Sequence, residues 1–149
     1  MTDYLDNAKD EMKRVDHLLF VSLKYTRTVD VIISVMERMI SCIDNCMDAL
    51  LEKVKRRRKT LEVPTTPRQK ADLVRDIFSD DEIITSMMDF YLHLRNLVQA
   101  KYTKREEYRR HVTMIAEVKG RTVEVEIDDL NEFYLKLKDF LEYIQREKL

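Results

Sequence analysis

The chain predicts a mainly α fold: an up-and-down bundle of four long helices and one short helix, with a single β-hairpin at about residues 112–127 before the last helix. Three observations carry that expectation. Apolar residues recur every three or four positions through most of the 149 residues, the spacing of helices with one face turned to a core. Loop material is scarce, with one Gly and two Pro, too little for the turns of a sandwich or barrel. The single glycine, Gly120, lies inside the one segment whose apolar residues alternate instead.

The first helix is expected over residues 3 to about 25, capped by Thr2 or Asp3, with Leu5, Ala8, Met12, Val15, Leu18, Leu19 and Val21 on its inner stripe. Thr28-Val29-Asp30 opens the longest helix, to about Lys59. Its stripe runs Val29, Ile32, Val35 or Met36, Met39, Ile40, Ile43, Cys46, Met47, Leu50, Leu51 and Val54, and Val31, Ile33 and Cys42 widen it. A helix apolar over more than one face is either central in a bundle or shared with a second subunit. On that breadth we expect a homodimer contact. Met36, Met39 and Met47 read as adaptable core filler.

Thr66 and Pro67 start a short helix to about Phe78, with Leu73, Val74, Ile77 and Phe78 inward. Ser79 and Glu82 have capping-box spacing for the next helix, which turns Ile83, Ile84, Met87, Met88, Tyr91, Leu94, Leu97 and Val98 inward. That helix either runs on through Tyr102 to Arg110 or breaks near Thr103. Asp129 and Glu132 give a second capping-box spacing for the last helix, with Leu130, Phe133, Tyr134, Leu137, Phe140, Leu141 and Ile144 inward.

Between them, Lys119-Gly120 placed as a two-residue turn sets Val118 opposite Arg121, Ala116 opposite Val123, Met114 opposite Val125 and Val112 opposite Ile127. The other face then holds Thr113 with Glu126, Ile115 with Glu124 and Glu117 with Thr122. Register and turn agree. A lone hairpin is marginal in water, so this one must lie on the helices.

A chain of this length reads as one domain, residues 1–149. Charged residues make up 37% and the formal net charge is −1, so no global basic field recruits nucleic acid and any polyanion site must be a local patch. Cys42 and Cys46, four apart on a helix, read as buried structural thiols. The N-terminus is acidic and the longest apolar runs, such as Leu18-Leu19-Phe20-Val21, are too short to span a bilayer. The expectation is a cytoplasmic protein without a membrane partner.

One glycine excludes Gly-rich phosphate loops and dinucleotide fingerprints. No His-Glu-x-x-His or Cys/His zinc spacing occurs, so no metal or cofactor is expected. Asp89 and His93 share a helix face but lack a matching pair elsewhere. Two basic clusters remain. Lys55, Arg56, Arg57, Arg58 and Lys59 end the long helix, where cations complement the dipole. Lys101, Lys104, Arg105, Arg109, Arg110 and His111 form the second, with Tyr102 and Tyr108 interleaved as stacking platforms. Glu106 and Glu107 offer local ion pairs to that cluster.

Arg95-Asn96, late in the penultimate long helix of such a bundle, resembles the start of the active motif of prokaryotic HEPN-like domains. Those domains are small helical dimers, many of them ribonucleases and others non-catalytic binding modules. The resemblance implies an Arg that cradles phosphate and a later His that serves as acid or base. Ala100, Lys101, Tyr102 and Thr103 occupy the usual place of that His, while Arg105-Glu106 followed by His111 has the literal spacing. The leading expectation is a small non-enzymatic interaction or regulatory module, homodimeric, with the hairpin edge as a surface for a protein partner. The competing one is a HEPN-like RNA-binding protein or ribonuclease that uses Arg95, Asn96, Arg105 and His111, with Tyr102 as a stand-in for the His.

Overall fold

The structure, a computed structural model, describes residues 4–149; the expected caps Thr2 and Asp3 lie outside the described residues. Helix α1 (Tyr4–His17) continues without interruption into a π-helical stretch, Leu18–Ser22, and a last turn, Leu23–Tyr25. Ala8, Met12, Val15, Leu19 and Leu23 are all buried. In a regular helix the eight residues from Val15 to Leu23 overshoot two turns by about 80°. The wider π turn takes up that excess and keeps both side chains on the core. Val21, expected inward, is therefore turned out and 41% exposed, and Leu23 takes its place.

Helix α2 (Val29–Arg57) is the spine and ends two residues short of the expected Lys59. Thr28 stands in extended conformation and its hydroxyl accepts the Val31 amide at 3.3 Å, a side-chain N-cap. Every expected stripe residue is buried except Val54, and Cys42 is buried as well. α1 covers one side of α2. The others are covered by α3 (Pro67–Ile77), α4 (Glu82–Gln99), α5 (Ile127–Glu147) and one strand of the sheet. Most of its apolar surface is buried within one chain, with Val31, Ile33 and Val54 half-buried.

Thr66 occupies the N-cap position of α3 without a side-chain bond, and Pro67 is the first helical residue. Ala71 and Val74 are buried there, while Leu73, Ile77 and Phe78 are half-buried. The cap of α4 is Asp81, not Ser79. Its Oδ1 accepts the amides of Ile83 and Ile84 at 3.0 and 3.1 Å. Its Oδ2 accepts the Tyr143 hydroxyl at 2.6 Å and faces Lys148 Nζ at 3.2 Å. A carboxylate that also ties down α5 outcompetes the serine two residues earlier. Ile83, expected inward, is 47% exposed, and Phe90 is buried instead.

After Gln99 the chain leaves the helix and forms β1 (Lys101–Arg105), so α4 does not run on to Arg110. β2 (Thr113–Val118) and β3 (Arg121–Val125) complete an antiparallel sheet in the order β1-β2-β3. The single hairpin is thus corrected to three strands. Its register is as expected for Val118–Arg121, Glu117–Thr122, Ala116–Val123, Ile115–Glu124 and Met114–Val125. The outer pairs Val112–Ile127 and Thr113–Glu126 do not form. Glu126 is the N-cap of α5 and Ile127 its first residue, and the reciprocal capping box joins Glu126 to Asp129 rather than Asp129 to Glu132. Lys119 and Gly120 have φ of 52° and 76°, the left-handed pair of a two-residue hairpin turn. The β1 residues Lys-Tyr-Thr-Lys-Arg include one apolar side chain and show no alternation that marks a strand. Met114, Ala116 and Val125 hold the sheet to the helices. Among the described residues no helix is long and apolar enough to cross a membrane.

Two outcomes follow. A Cβ on Gly120 meets nothing within 4 Å, so Gly120→Ala tests backbone conformation alone and costs about 1 kcal/mol in urea unfolding. Asp81→Ala removes a cap and a cross-helix acceptor and costs about 1–2 kcal/mol at neutral pH. Burial raises the Asp81 pKa, but the Tyr143 hydroxyl, the Ile84 amide and Lys148 together outweigh it and hold the carboxyl below its ordinary 3.8. A lowered folded pKa contributes stability above the ordinary value, and that stability is lost as pH falls through the folded value. The gap between wild type and Asp81→Ala accordingly narrows below that range.

Candidate functional site

The loop from Glu106 to Val112 joins β1 to β2 and is built against its own conformational preference. Glu106 and Tyr108 both adopt left-handed backbone, with φ of 54° and 66°, each costing about 1–2 kcal/mol for a residue with a side chain. Tertiary bonds hold the loop there. The Tyr108 amide donates to the Arg27 carbonyl at 2.6 Å. Glu107 Oε2 accepts the Val29 amide at 2.9 Å and so adds a second cap to α2 from the other half of the chain. Within the loop, the Arg109 amide donates to the Glu106 carbonyl and the Val112 amide to the Arg109 carbonyl. The loop is thereby pinned across the junction of α1 and α2.

This anchoring sorts the charges of the second basic cluster. Lys104 Nζ lies 3.7 Å from Asp30 and 3.9 Å from Glu107. Arg105 donates twice to Glu124, at 2.6 and 3.4 Å. His111 Nδ1 is 3.9 Å from Glu126 on a side chain 68% exposed. Arg109, Arg110 and Lys24 are exposed and form no ion pair among the described residues. Lys101 begins β1 opposite Glu117, at the other end of the strand.

Exposed tyrosines adjoin the unpaired cations in sequence, Tyr25 after Lys24 and Tyr108 before Arg109. Tyr108 is 76% exposed and Tyr25 is 81% exposed. Tyr25 ends the helical run of α1, two residues before the carbonyl that anchors Tyr108. Arg27 is half-buried, and its Nε is buried with no hydrogen-bond partner. Lys24, Tyr25 and Arg27 were not singled out from the sequence. The local signal, Lys-Tyr-Thr-Arg at a helix end, is short, and only the fold sets it against residues 106–111.

The first basic cluster is elsewhere. Arg56 pairs with Glu52 at 3.1 Å, and Lys55, Arg57, Arg58 and Lys59 are exposed. Asp30, beside Lys104, and Arg57 are at opposite ends of α2, about 40 Å apart at helical rise. The two clusters do not converge.

Arg95 and Asn96 lie near the end of α4. The Arg95 guanidinium carbon is 5.8 Å from the Tyr91 ring centroid. Tyr91 is buried, and its hydroxyl donates to Asp44 on α2. Burial, and then the hydrogen bond to Asp44, push the phenol pKa well up. Burial likewise raises the Asp44 carboxyl, against the lowering effects of the Tyr91 bond and the Arg95 charge. Lys70 and Asp48, 2.9 Å apart, extend this polar seam to α3. Arg105 pairs with Glu124 and His111 stands near Glu126, whereas Arg95 lies over the Tyr91 ring. Tyr102, on β1, is 38% exposed.

Asp89 is bound by Arg75 rather than poised beside His93, and burial, then Lys136, lower the His93 pKa. Among the described residues no three His, Cys, Asp or Glu side chains group as metal ligands. Cys42 and Cys46 are fully buried, and the Cys42 thiol donates to the Ala8 carbonyl at 3.3 Å. No protein-family model, curated protein or solved structure matches this chain.

The seam makes a pH-dependent prediction. Tyr91→Phe strips Asp44 of its donor and leaves a buried carboxylate less satisfied, a loss of about 1–3 kcal/mol at about pH 7. The folded Asp44 pKa already lies above 3.8 and rises further in the variant. The penalty belongs to the ionised form, so it shrinks as pH falls through that raised value. Urea unfolding of both proteins across that range measures it.

Proposed function

We propose that the chain is a small non-enzymatic interaction module that docks on a polyanionic partner through the surface formed by the end of α1 and the 106–111 loop. One observation carries this reading. In a chain with 28 acidic residues against 27 Lys and Arg, Lys24, Arg109 and Arg110 have no anionic partner among the described residues, and unlike the equally unpaired Lys55, Arg57, Arg58 and Lys59 they adjoin in sequence two exposed tyrosines, Tyr25 and Tyr108. Their neighbours Lys104 and Arg105 are paired. Unmatched cations on two segments joined by the Tyr108–Arg27 backbone bond raise a local positive potential despite a net charge near zero.

The non-catalytic form of the reading is supported by the company kept by the candidate reacting groups. Phosphate cleavage of the HEPN-like kind calls for Arg95, Asn96, Arg105 and His111 around one phosphate. Arg95 stacks on a buried tyrosine, Arg105 is held bidentately by Glu124, and His111 stands beside Glu126. These are the contacts of structural and solvated side chains. The docking surface is contained in a single copy, so the proposal does not rest on a dimer.

The test is binding of labelled heparin and labelled RNA across a salt series, with RNA integrity followed in the same samples. Binding is expected to fall with salt, with a slope set by the number of phosphates engaged. Arg109→Glu with Arg110→Glu weakens it at least tenfold, and Arg57→Glu with Arg58→Glu leaves it within about twofold. Equal loss in both pairs, or no binding at low salt, overturns the reading. RNA cleavage abolished by Arg95→Ala replaces it with the nuclease.

A further inference from the structure

We infer that the occupant of this surface is a single-stranded nucleic acid, its unpaired bases stacked on Tyr25 and Tyr108 and its phosphates held by Lys24, Arg109 and Arg110. The inference rests on the polyanion reading above and names the ligand of that site.

Cations alone do not distinguish a single strand from a duplex or an acidic protein; the tyrosines do. Two of the most exposed large hydrophobic side chains of the structure, at 81% and 76%, occur together with the unpaired cations. Val21, 41% exposed, lies one turn back along the helix from Tyr25, while Phe20 packs edge-to-face on Tyr134 of α5 with ring centroids 5.2 Å apart. The backbone at Tyr108 is left-handed, an unfavourable state for a tyrosine, and is fixed there by the short bond from its amide to Arg27. The bonds that cap α2 and pin the loop thereby also hold a largely exposed aromatic ring in water.

The bond between the Tyr108 amide and the Arg27 carbonyl, 2.6 Å long, also bounds the spacing. Tyr25 precedes Arg27 by two residues, so the two tyrosine Cα atoms are at most about 14 Å apart. That is within the reach of a short stretch of extended single strand. Every base has a π face, so two such platforms beside a cationic track accept a strand with little regard to sequence. A duplex hides those faces and presents phosphates, 2′-hydroxyls and groove edges instead.

The test compares an unstructured RNA single strand, the matched duplex and heparin as probes of the intact chain at one salt concentration. Three double variants are used: Tyr25→Ala with Tyr108→Ala, Tyr25→Phe with Tyr108→Phe, and Arg109→Glu with Arg110→Glu. The tyrosines are exposed, so all are expected to fold, which circular dichroism verifies. The alanine pair is expected to lose single-strand affinity by about tenfold or more while heparin affinity holds. The phenylalanine pair keeps both, and the arginine pair loses both. Equal affinity for single strand and duplex, with no effect of the alanine pair, overturns the inference and leaves the polyanion reading standing. So does binding of heparin without nucleic acid, which redirects the site to acidic protein. No binding of any probe ends both.

Discussion

The burial of α2 is the constraint on which the rest of the structure depends. A 29-residue helix about 43 Å long, apolar over most of its circumference, has to be covered on every side or it aggregates. α1, α3, α4, α5 and strand β2 are what this chain supplies for the purpose. The apolar spacing that makes α2 a helix therefore also makes it central. Of the residues that widen its stripe, Cys42 is buried and Val31 and Ile33 are half-buried against the core.

Covering so long a helix leaves polar work to do at its flanks and ends. Along its length, Asp44 accepts the hydroxyl of Tyr91, over whose ring Arg95 lies, and Asp48 meets Lys70. A charged residue on a mostly buried face has to find its complement on the helix laid over it. At its N-terminus the free amides are taken by Thr28 and, from across the molecule, by Glu107. The second contact draws the 106–111 loop onto the end of α1, and the loop accepts left-handed backbone at Glu106 and Tyr108 as a consequence. The cationic and aromatic surface is thus a by-product of how the spine is capped, placed there by one carboxylate and one backbone bond. At the opposite end, the Lys55–Lys59 run faces water and extends beyond the last helical turn, where like charges are compatible with the helix dipole.

The strongest local patterns in the chain were legible from residues alone. The α2 stripe, the Lys119-Gly120 turn and the central five pairs of the β2–β3 register follow from periodicity and from the backbone freedom of one glycine. Misreadings fall where two local solutions compete and a distant group chooses. Asp81 displaced Ser79 as the cap because Tyr143 and Lys148 reward the carboxylate. Glu126 displaced Asp129 because the hairpin ends earlier than its alternation suggests. Val21 and Leu23 exchanged roles because the core prefers a π turn to a rotated stripe. β1 was hidden because an exposed edge strand of charged residues has no apolar rhythm. The second basic cluster was visible as a composition. The sequence did not reveal which of its cations are spent, nor that Lys24 and Tyr25 join it.

What the amino-acid order determined by itself is therefore the set of segments able to bury one face, because helical and strand periodicities are properties of neighbours along the chain. The tertiary structure decided which cations found carboxylates, which tyrosines stayed in water and which arginine lies over a buried phenol. Those outcomes depend on distances between residues far apart in sequence, such as the 78 positions between Val29 and Glu107. No local pattern encodes such a distance.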